Sequence, residues 1–130
     1  MAVHSILSTP SRRVLVAVED QSFGEMLLDA LAEAGHLAEL AVDEAGLRAA
    51  LARPSFDVAL VDLDNRGRNG AQLVALVRER SPSTTVVALL PCGGLPPNHP
   101  EVQFDASVEK PGRLLALLSA LAAAHGTNAQ

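Results

Sequence analysis

Three stretches of strand length consist almost entirely of aliphatic residues, and they constrain the fold more than any other feature of the sequence. They are VLVAV at 14–18, FDVALVD at 56–62 and TTVVALL at 84–90. A strand that is apolar on both faces has to be covered on both faces, as a central strand of a parallel sheet is. Aromatic residues make up only 2% of the chain, so the covering core must be built from Leu, Val and Ala.

Segments with apolar residues at helical spacing separate these strands. The predicted helices are, in chain order, one capped by Ser22, one capped by Asp43, one over 70–80 and one that carries the leucines of 114–121. Weaker strands are predicted at 36–42 and 106–108. This order predicts an α/β domain with a doubly wound five-stranded parallel sheet. The proline- and glycine-rich stretch 91–103 predicts that the helix between strands four and five, helix four of such a fold, is short or missing.

Other features of the sequence indicate the limits of the domain and exclude some classes of protein. We expect one domain over 13–124, a flexible N-terminal arm at 1–12 and a polar tail at 125–130. A net charge of −5 argues against nucleic acid as a direct partner. No apolar run reaches membrane-spanning length, and basic residues follow the short N-terminal apolar patch, the wrong order for a secretory signal. A cytoplasmic protein without a membrane partner is the resulting expectation.

Charged residues stand at the carboxyl ends of three predicted strands. Glu19 and Asp20 follow strand one, Asp62 ends strand three and Lys110 follows strand five. Because parallel strands place their carboxyl ends at one edge of the sheet, these side chains are expected to meet there. Clustered carboxylates favour a hard cation such as Mg²⁺, which would hold a phosphoryl donor against Asp62. Asp62 would act as the nucleophile, and Lys110 would pair with the incoming phosphate.

The same residues resemble the bacterial response-regulator receiver domain, the phosphoacceptor half of two-component signalling. VLVAVED is similar to its first strand and acidic pair, and VEKP to its lysine–proline motif. FDVALVDLDNRGRNG is similar to its phosphoacceptor strand and loop, with Gly70 in the glycine position. The likeness runs from about Arg13 to Ala122 and implies a flavodoxin-like receiver fold. The roles it implies are Asp62 as phosphoacceptor, Asp20 as direct Mg²⁺ ligand, Glu19 as ligand through water, Asp64 as backbone-carbonyl ligand and Lys110 as phosphoryl contact.

Departures from that family change the expected mechanism. Leu90 stands where the family usually has Ser or Thr, and leucine has no hydroxyl for the phosphoryl oxygen. Ser107 replaces the usual aromatic residue, and Arg66 replaces a loop proline. We therefore predict an atypical receiver that is not an enzyme and works mainly as a protein-interaction module, with phosphorylation weak or dispensable. Its expected partner is a histidine kinase or a downstream effector, with a possible homodimer through strand five and the last helix.

Three alternatives remain at this stage. The first is a conventionally phosphorylated stand-alone receiver. The second is a haloacid dehalogenase-like phosphatase, because DLDN resembles that motif and would make Asp64 the acid and base. Arg66 at its fifth position and the upstream acidic pair argue against it. The third, a nucleotide-binding domain, would need a glycine-rich turn after strand one, where the chain offers only Gly24.

Overall fold

Five parallel strands form one sheet, as predicted. The computed structural model describes residues 6–7, 12–53, 56–63, 68–95 and 102–128, with backbone only at 68–69 and 122–128. The strands are β1 Arg13–Ala17, β2 Leu37–Ala41, β3 Val58–Asp62, β4 Thr85–Leu90 and β5 Ala106–Glu109. Across the sheet the strands lie in the order β2-β1-β3-β4-β5. This order reverses direction at the β1–β3 pair, which makes that pair the topological switch point of the sheet.

Four helices connect or follow the strands. They are α1 Gln21–Glu33, α2 Glu44–Leu51, α3 Arg68–Arg80 and α4 Gly112–Asn128. Asp43 caps α2 as predicted, but Asp20 rather than Ser22 caps α1, because its carboxylate reaches the N–H of Phe23 at 3.0 Å. Helix α4 runs through 125–128, so the expected polar tail is helical there. None of the helices described is both long and apolar enough to cross a membrane.

Two hydrophobic cores lie on the two faces of the sheet, since alternate residues of each central strand point to opposite faces. One core joins one face of β1, β3 and β4 to α1 and α4 through Leu27, Leu31, Leu114 and Leu118. The other joins the opposite face to α2 and α3 through Leu47, Leu73 and Val77. Helices on both faces complete the doubly wound architecture. All side chains of the two cores except those of Phe23, Phe56 and Phe104 are aliphatic, in keeping with the composition.

Part of the N-terminal segment belongs to the core. Ile6 and Leu7 are 6% and 2% exposed and pack in the core beneath α1 and α4. The buried ring of His36 fastens them, because its Nε2 lies 2.8 Å from the carbonyl oxygen of Leu7 while its Nδ1 accepts the N–H of Arg12 at 3.3 Å. The expectation of a flexible arm is therefore wrong at these two positions. Residues 1–5 and 8–11 lie outside the described part of the chain.

The connection between β4 and β5 is irregular wherever it is described. None of residues 91–95 and 102–105 is helical, and the interval between them spans six residues, so helix four is short or missing as predicted. Arg78 of α3 binds the end of this connection that precedes β5, at Gln103 and Asp105. Its guanidinium donates to the carbonyl of Gln103 at 3.2 Å and pairs with Asp105 at 3.2 Å. Asp105 in turn accepts the N–H of Val86 in β4 at 2.8 Å.

Candidate functional site

The sheet brings the predicted site residues to one edge. Asp62 is the last residue of β3, and Glu19 and Asp20 follow the end of β1, its neighbour in the sheet. Lys110 follows the end of β5, two strands away from β3. Its backbone N–H donates to the carbonyl of Leu90 at 2.8 Å, which ties the ends of β4 and β5 together. The candidate site therefore lies at the switch point, where α/β sheets bind their ligands.

An ion pair between Asp62 and Lys110 is the central contact of this edge. The Nζ atom of Lys110 lies 2.7 Å from Oδ1 of Asp62, the distance of a charge-assisted hydrogen bond. The two side chains are only 17% and 15% exposed, so solvent and salt screen the pair less than a surface ion pair. The ring of Phe23 covers the same ammonium, with its centroid 5.5 Å from Nζ. Lys110 is the only lysine of the chain.

Both acidic residues after β1 are exposed, and one of them has a structural role as well. Oδ1 of Asp20 accepts the N–H of Phe23 as the cap of α1. Among the residues described here, no three carboxylate, imidazole or thiol side chains are grouped closely enough to hold a metal ion. Mg²⁺, however, commonly binds through one or two carboxylates and keeps several waters. The side-chain atoms of Glu19, Asp20 and Asp62 that could bind a metal are all carboxylate oxygens. The donor chemistry therefore fits Mg²⁺. Asp64, the predicted carbonyl ligand, lies outside the described residues.

Positions 90 and 107, where the family's switch residues are expected to be lost, lie on the face of the sheet opposite Asp62. Leu90 ends β4, is partly buried and packs in the core with Leu95, Val102 and Phe104. Ser107 is exposed in β5 and is paired in register with Ala88 of β4. Residue 90 therefore contributes apolar contact where a hydroxyl was expected in the family, and residue 107 contributes no ring.

A carboxylate holds the turn that follows β4. Gly93 and Gly94 have positive φ angles of 88° and 87°, and the N–H of Gly94 donates to the carbonyl of Pro91 at 2.9 Å. The N–H of Gly93 donates to Oε2 of Glu109 at 2.9 Å. Our sequence interpretation missed this role of Glu109. Two glycines after a strand, followed by a carboxylate beside the lysine, were the available signal.

Gly70 permits the close approach of α3 to the site. A Cβ atom there would lie 2.9 Å from the carbonyl oxygen of Asp62 and 2.8 Å from Cδ2 of Leu63. Because one of these neighbours is backbone, the clash could not be relieved by a side-chain rotation. Glycine at this position therefore lets the first turn of α3 pack directly on the end of β3.

Comparisons with known proteins agree with this geometry. A response regulator from Thermotoga maritima is similar in structure at 23% identity and a TM-score of 0.67, over 89% of this chain and 98% of that chain. The chemotaxis protein CheY4 of Vibrio cholerae is similar at 25% identity and a TM-score of 0.66, over 85% and 98%. The chain has the fold of a response-regulator receiver domain. The resemblance drawn from the sequence is thus confirmed.

A third solved structure with the receiver fold carries the modification that the sequence suggests. It is a response regulator from Burkholderia pseudomallei with a phosphorylated aspartic acid, a calcium ion and citrate. It is 21% identical, with a TM-score of 0.68, over 92% of this chain and 72% of that chain. No protein-family model and no curated protein matches the sequence.

Proposed function

We propose that this chain is a two-component signalling module whose receiver fold presents Asp62 as a phosphoacceptor, and that it acts mainly by binding a protein partner. The contact between Asp62 and Lys110 at the switch point is the observation that carries the proposal. A carboxylate at a parallel strand end with a lysine ammonium on it is suited to receive a phosphoryl group, since the ammonium can neutralise the charge that arrives.

The proposed chemistry is phosphoryl transfer to the Asp62 carboxylate. A carboxylate oxygen attacks the phosphorus of a kinase phosphohistidine or of a small phosphodonor, and the bond from phosphorus to the leaving group breaks. The products are an acyl phosphate on Asp62 and the free leaving group. Lys110 then neutralises the added phosphoryl charge. In this proposal the chain does not turn over a substrate, because the one covalent step modifies the chain's own Asp62.

Mg²⁺ is the proposed cofactor of this step. The carboxylates of Asp20 and Asp62 would hold it, with Glu19 acting through water and Asp64 through its carbonyl oxygen. When bound, Mg²⁺ supplies positive charge to the phosphoryl oxygens. Asp20 can serve in this way because capping engages Oδ1, and a carboxylate has a second oxygen.

Three features of the chain support the proposal that phosphorylation is weak or dispensable. Leu90 cannot donate a hydrogen bond to a phosphoryl oxygen and is anchored in the core. Ser107 has no ring that could alternate between two positions. Glu109 holds the following turn through Gly93 without any phosphate. A ligand shifts an equilibrium only if it binds two states differently, and these features favour a single state of the turn.

The partner surface that we propose includes β5 and α4. Strand β5 is an edge strand, paired on one side with β4. Beside it lies a groove of about 640 Å³ whose lining includes Leu90, Ser107 and Arg113. A kinase, an effector or a second copy of the chain could occupy this groove. Arg113→Glu would weaken an association there, and sedimentation velocity of the wild type and the variant tests the homodimer.

Reaction with a small phosphodonor tests the central proposal. The protein is incubated with Mg²⁺ and acetyl phosphate, and separately with beryllofluoride, and is followed by intact mass and by amide chemical shifts. We expect an adduct that is absent in Asp62→Asn and retained in Asp57→Asn, whose carboxylate precedes β3 at the opposite edge and accepts the N–H of Arg13. We also expect the amide shifts of residues 91–95 to change little.

Three results would count against this proposal. An adduct that persists in Asp62→Asn would remove the assigned acceptor. Large shifts over 91–95 and 102–107 on beryllofluoride binding would favour a conventionally phosphorylated receiver. Continuous release of phosphate from monoesters would instead support the haloacid dehalogenase-like phosphatase.

A further inference from the structure

Phe23 contacts two elements of the candidate site at once. Its backbone N–H donates to Oδ1 of Asp20 at 3.0 Å, and its ring lies under the ammonium of Lys110, 5.5 Å from centroid to Nζ. The distance is within the range of a cation–π contact. The ring is partly buried and packs against the core shared by α1 and α4. One residue of the first turn of α1 thus touches groups from the ends of β1 and β5.

We infer that Phe23 is a positioning residue that holds the Lys110 ammonium on Asp62. A lysine side chain has a flexible four-carbon stem and loses rotamer entropy when it is fixed. Among the contacts that the structure describes for this side chain are two anchors, the carboxylate of Asp62 and the ring of Phe23. The inference extends the proposed function, because a prepositioned ammonium is what a phosphoryl acceptor site needs.

The two anchors differ in how they respond to chemistry at Asp62. Phosphorylation converts the carboxylate into an acyl phosphate and changes its charge and shape, so this anchor depends on the state of the site. The face of an aromatic ring attracts a cation through its quadrupole, and it is unchanged by that reaction. Phe23 therefore keeps Lys110 at the pocket in both states. Only three residues of the chain are phenylalanine, with no tyrosine or tryptophan, and the other two rings serve the opposite face of the sheet.

The single lysine makes this inference directly measurable. Labelling with lysine that carries ¹³Cε and ¹⁵Nζ gives one side-chain signal set, that of Lys110. We compare the wild type with Phe23→Leu, which keeps the apolar bulk but removes the ring, and with Phe23→Tyr, which restores a ring. Phe56→Leu is the matched control, since it removes a ring that stacks on Arg13 at 5.0 Å elsewhere in the protein.

We expect the ring-current shift of the Lys110 ε-protons to disappear in Phe23→Leu, to return in Phe23→Tyr and to persist in Phe56→Leu. It should also persist in Asp62→Asn, because the ring anchor does not need the carboxylate. The rate constant for reaction with acetyl phosphate should fall about two- to thirtyfold in Phe23→Leu, the range of a cation–π contact at 1.36 kcal/mol per factor of ten. The tyrosine variant should recover it.

Lys110 signals that are identical in the wild type and Phe23→Leu would overturn the inference, as would a rate constant that is unaffected while the signals move. If the wild type forms no adduct, the proposed phosphoacceptor role of Asp62 fails. The chemical shifts of Lys110 would then decide by themselves whether Phe23 positions the ammonium. Urea denaturation of each variant shows that the comparison is made between folded proteins.

Discussion

Removing Lys110 should destabilise the protein much more than neutralising Asp62. Lys110→Met keeps the length of the side chain but takes away the ammonium that lies 2.7 Å from the carboxylate. Asp62 then stays charged at an edge that also carries Glu19 and Asp20. Asp62→Asn, in contrast, keeps an oxygen that can accept from Lys110 and removes one negative charge from this edge. The two substitutions, one at each partner of the ion pair, should therefore lower the free energy of unfolding by unequal amounts.

The burial of the pair sets the size of this effect. Exposed ion pairs contribute about 0.2–1 kcal/mol, whereas breaking a buried pair costs about 3–5 kcal/mol. With side chains 15% and 17% exposed, the pair lies between these limits. We expect about 2–3 kcal/mol of lost stability in Lys110→Met and less than about 1 kcal/mol in Asp62→Asn. An unfolding entropy of about 2.1 cal/mol/K per residue makes 1 kcal/mol worth about 4 °C in Tm for 130 residues.

Urea denaturation followed by circular dichroism measures both single variants and the double variant. The double variant should resemble Asp62→Asn, so the coupling energy between the two sites should equal the cost of Lys110→Met, about 2–3 kcal/mol. The matched control is the exposed pair of Glu44 and Arg48 on α2, with an N–O distance of 2.9 Å and side chains 53% and 50% exposed. Its coupling should be about 0.3–0.5 kcal/mol. Equal costs for the two single variants, or a coupling no larger than in the control, would refute the reasoning.

Three further changes test separate contacts. Gly70→Ala should lower the free energy of unfolding by about 1–3 kcal/mol, because its Cβ meets the end of β3. Gly112→Ala, where nothing lies within 4 Å of the added Cβ, should be neutral or slightly stabilising. Equal shifts of Tm in the two variants would contradict this. Leu7→Ala should cost about 2–5 kcal/mol in urea denaturation if the N-terminal segment is core, and a cost under about 1 kcal/mol would show that it is not. Glu109→Ala should speed hydrogen exchange of the Gly93 amide about two- to tenfold, and an unchanged rate would mean that the carboxylate does not hold the turn.

The sheet and its site edge were predictable because they follow from short-range patterns. Aliphatic runs locate the strands, alternation with helices makes them parallel, and parallel strands place Asp62 and Lys110 at the same edge. The pairing of these two side chains across β4 needs only their strand ends and the reach of a lysine. It was also predictable that the helix between β4 and β5 is short or missing, since prolines and glycines in 91–103 exclude a long helix there.

What the sequence did not reveal depends on contacts between distant residues. The burial of Leu7 requires the ring of His36, 29 positions away, to hydrogen-bond its carbonyl. A short apolar patch has no periodicity that would indicate this burial. Asp20 rather than Ser22 is the cap because the helix begins at Gln21, two residues earlier than the apolar spacing indicates. The ring of Phe23 was interpreted only as a core position, because helical spacing does not indicate which charged group a ring covers.

The end of β5 connects the candidate site to the turn after β4. Successive residues of a strand face opposite sides, so Lys110 points to Asp62 while Glu109 points to the turn. The backbone N–H of Lys110 is bonded to Leu90, and the carboxylate of Glu109 is bonded to Gly93. Any displacement of Lys110 by a phosphoryl group would therefore act on the turn through the backbone of β5, without a hydroxyl at position 90 or a ring at 107. Because the ring of Phe23 still contacts this lysine when Asp62 carries a phosphoryl group, we expect such displacement to be small, and the proposed module to present nearly the same surface to its partner before and after phosphorylation.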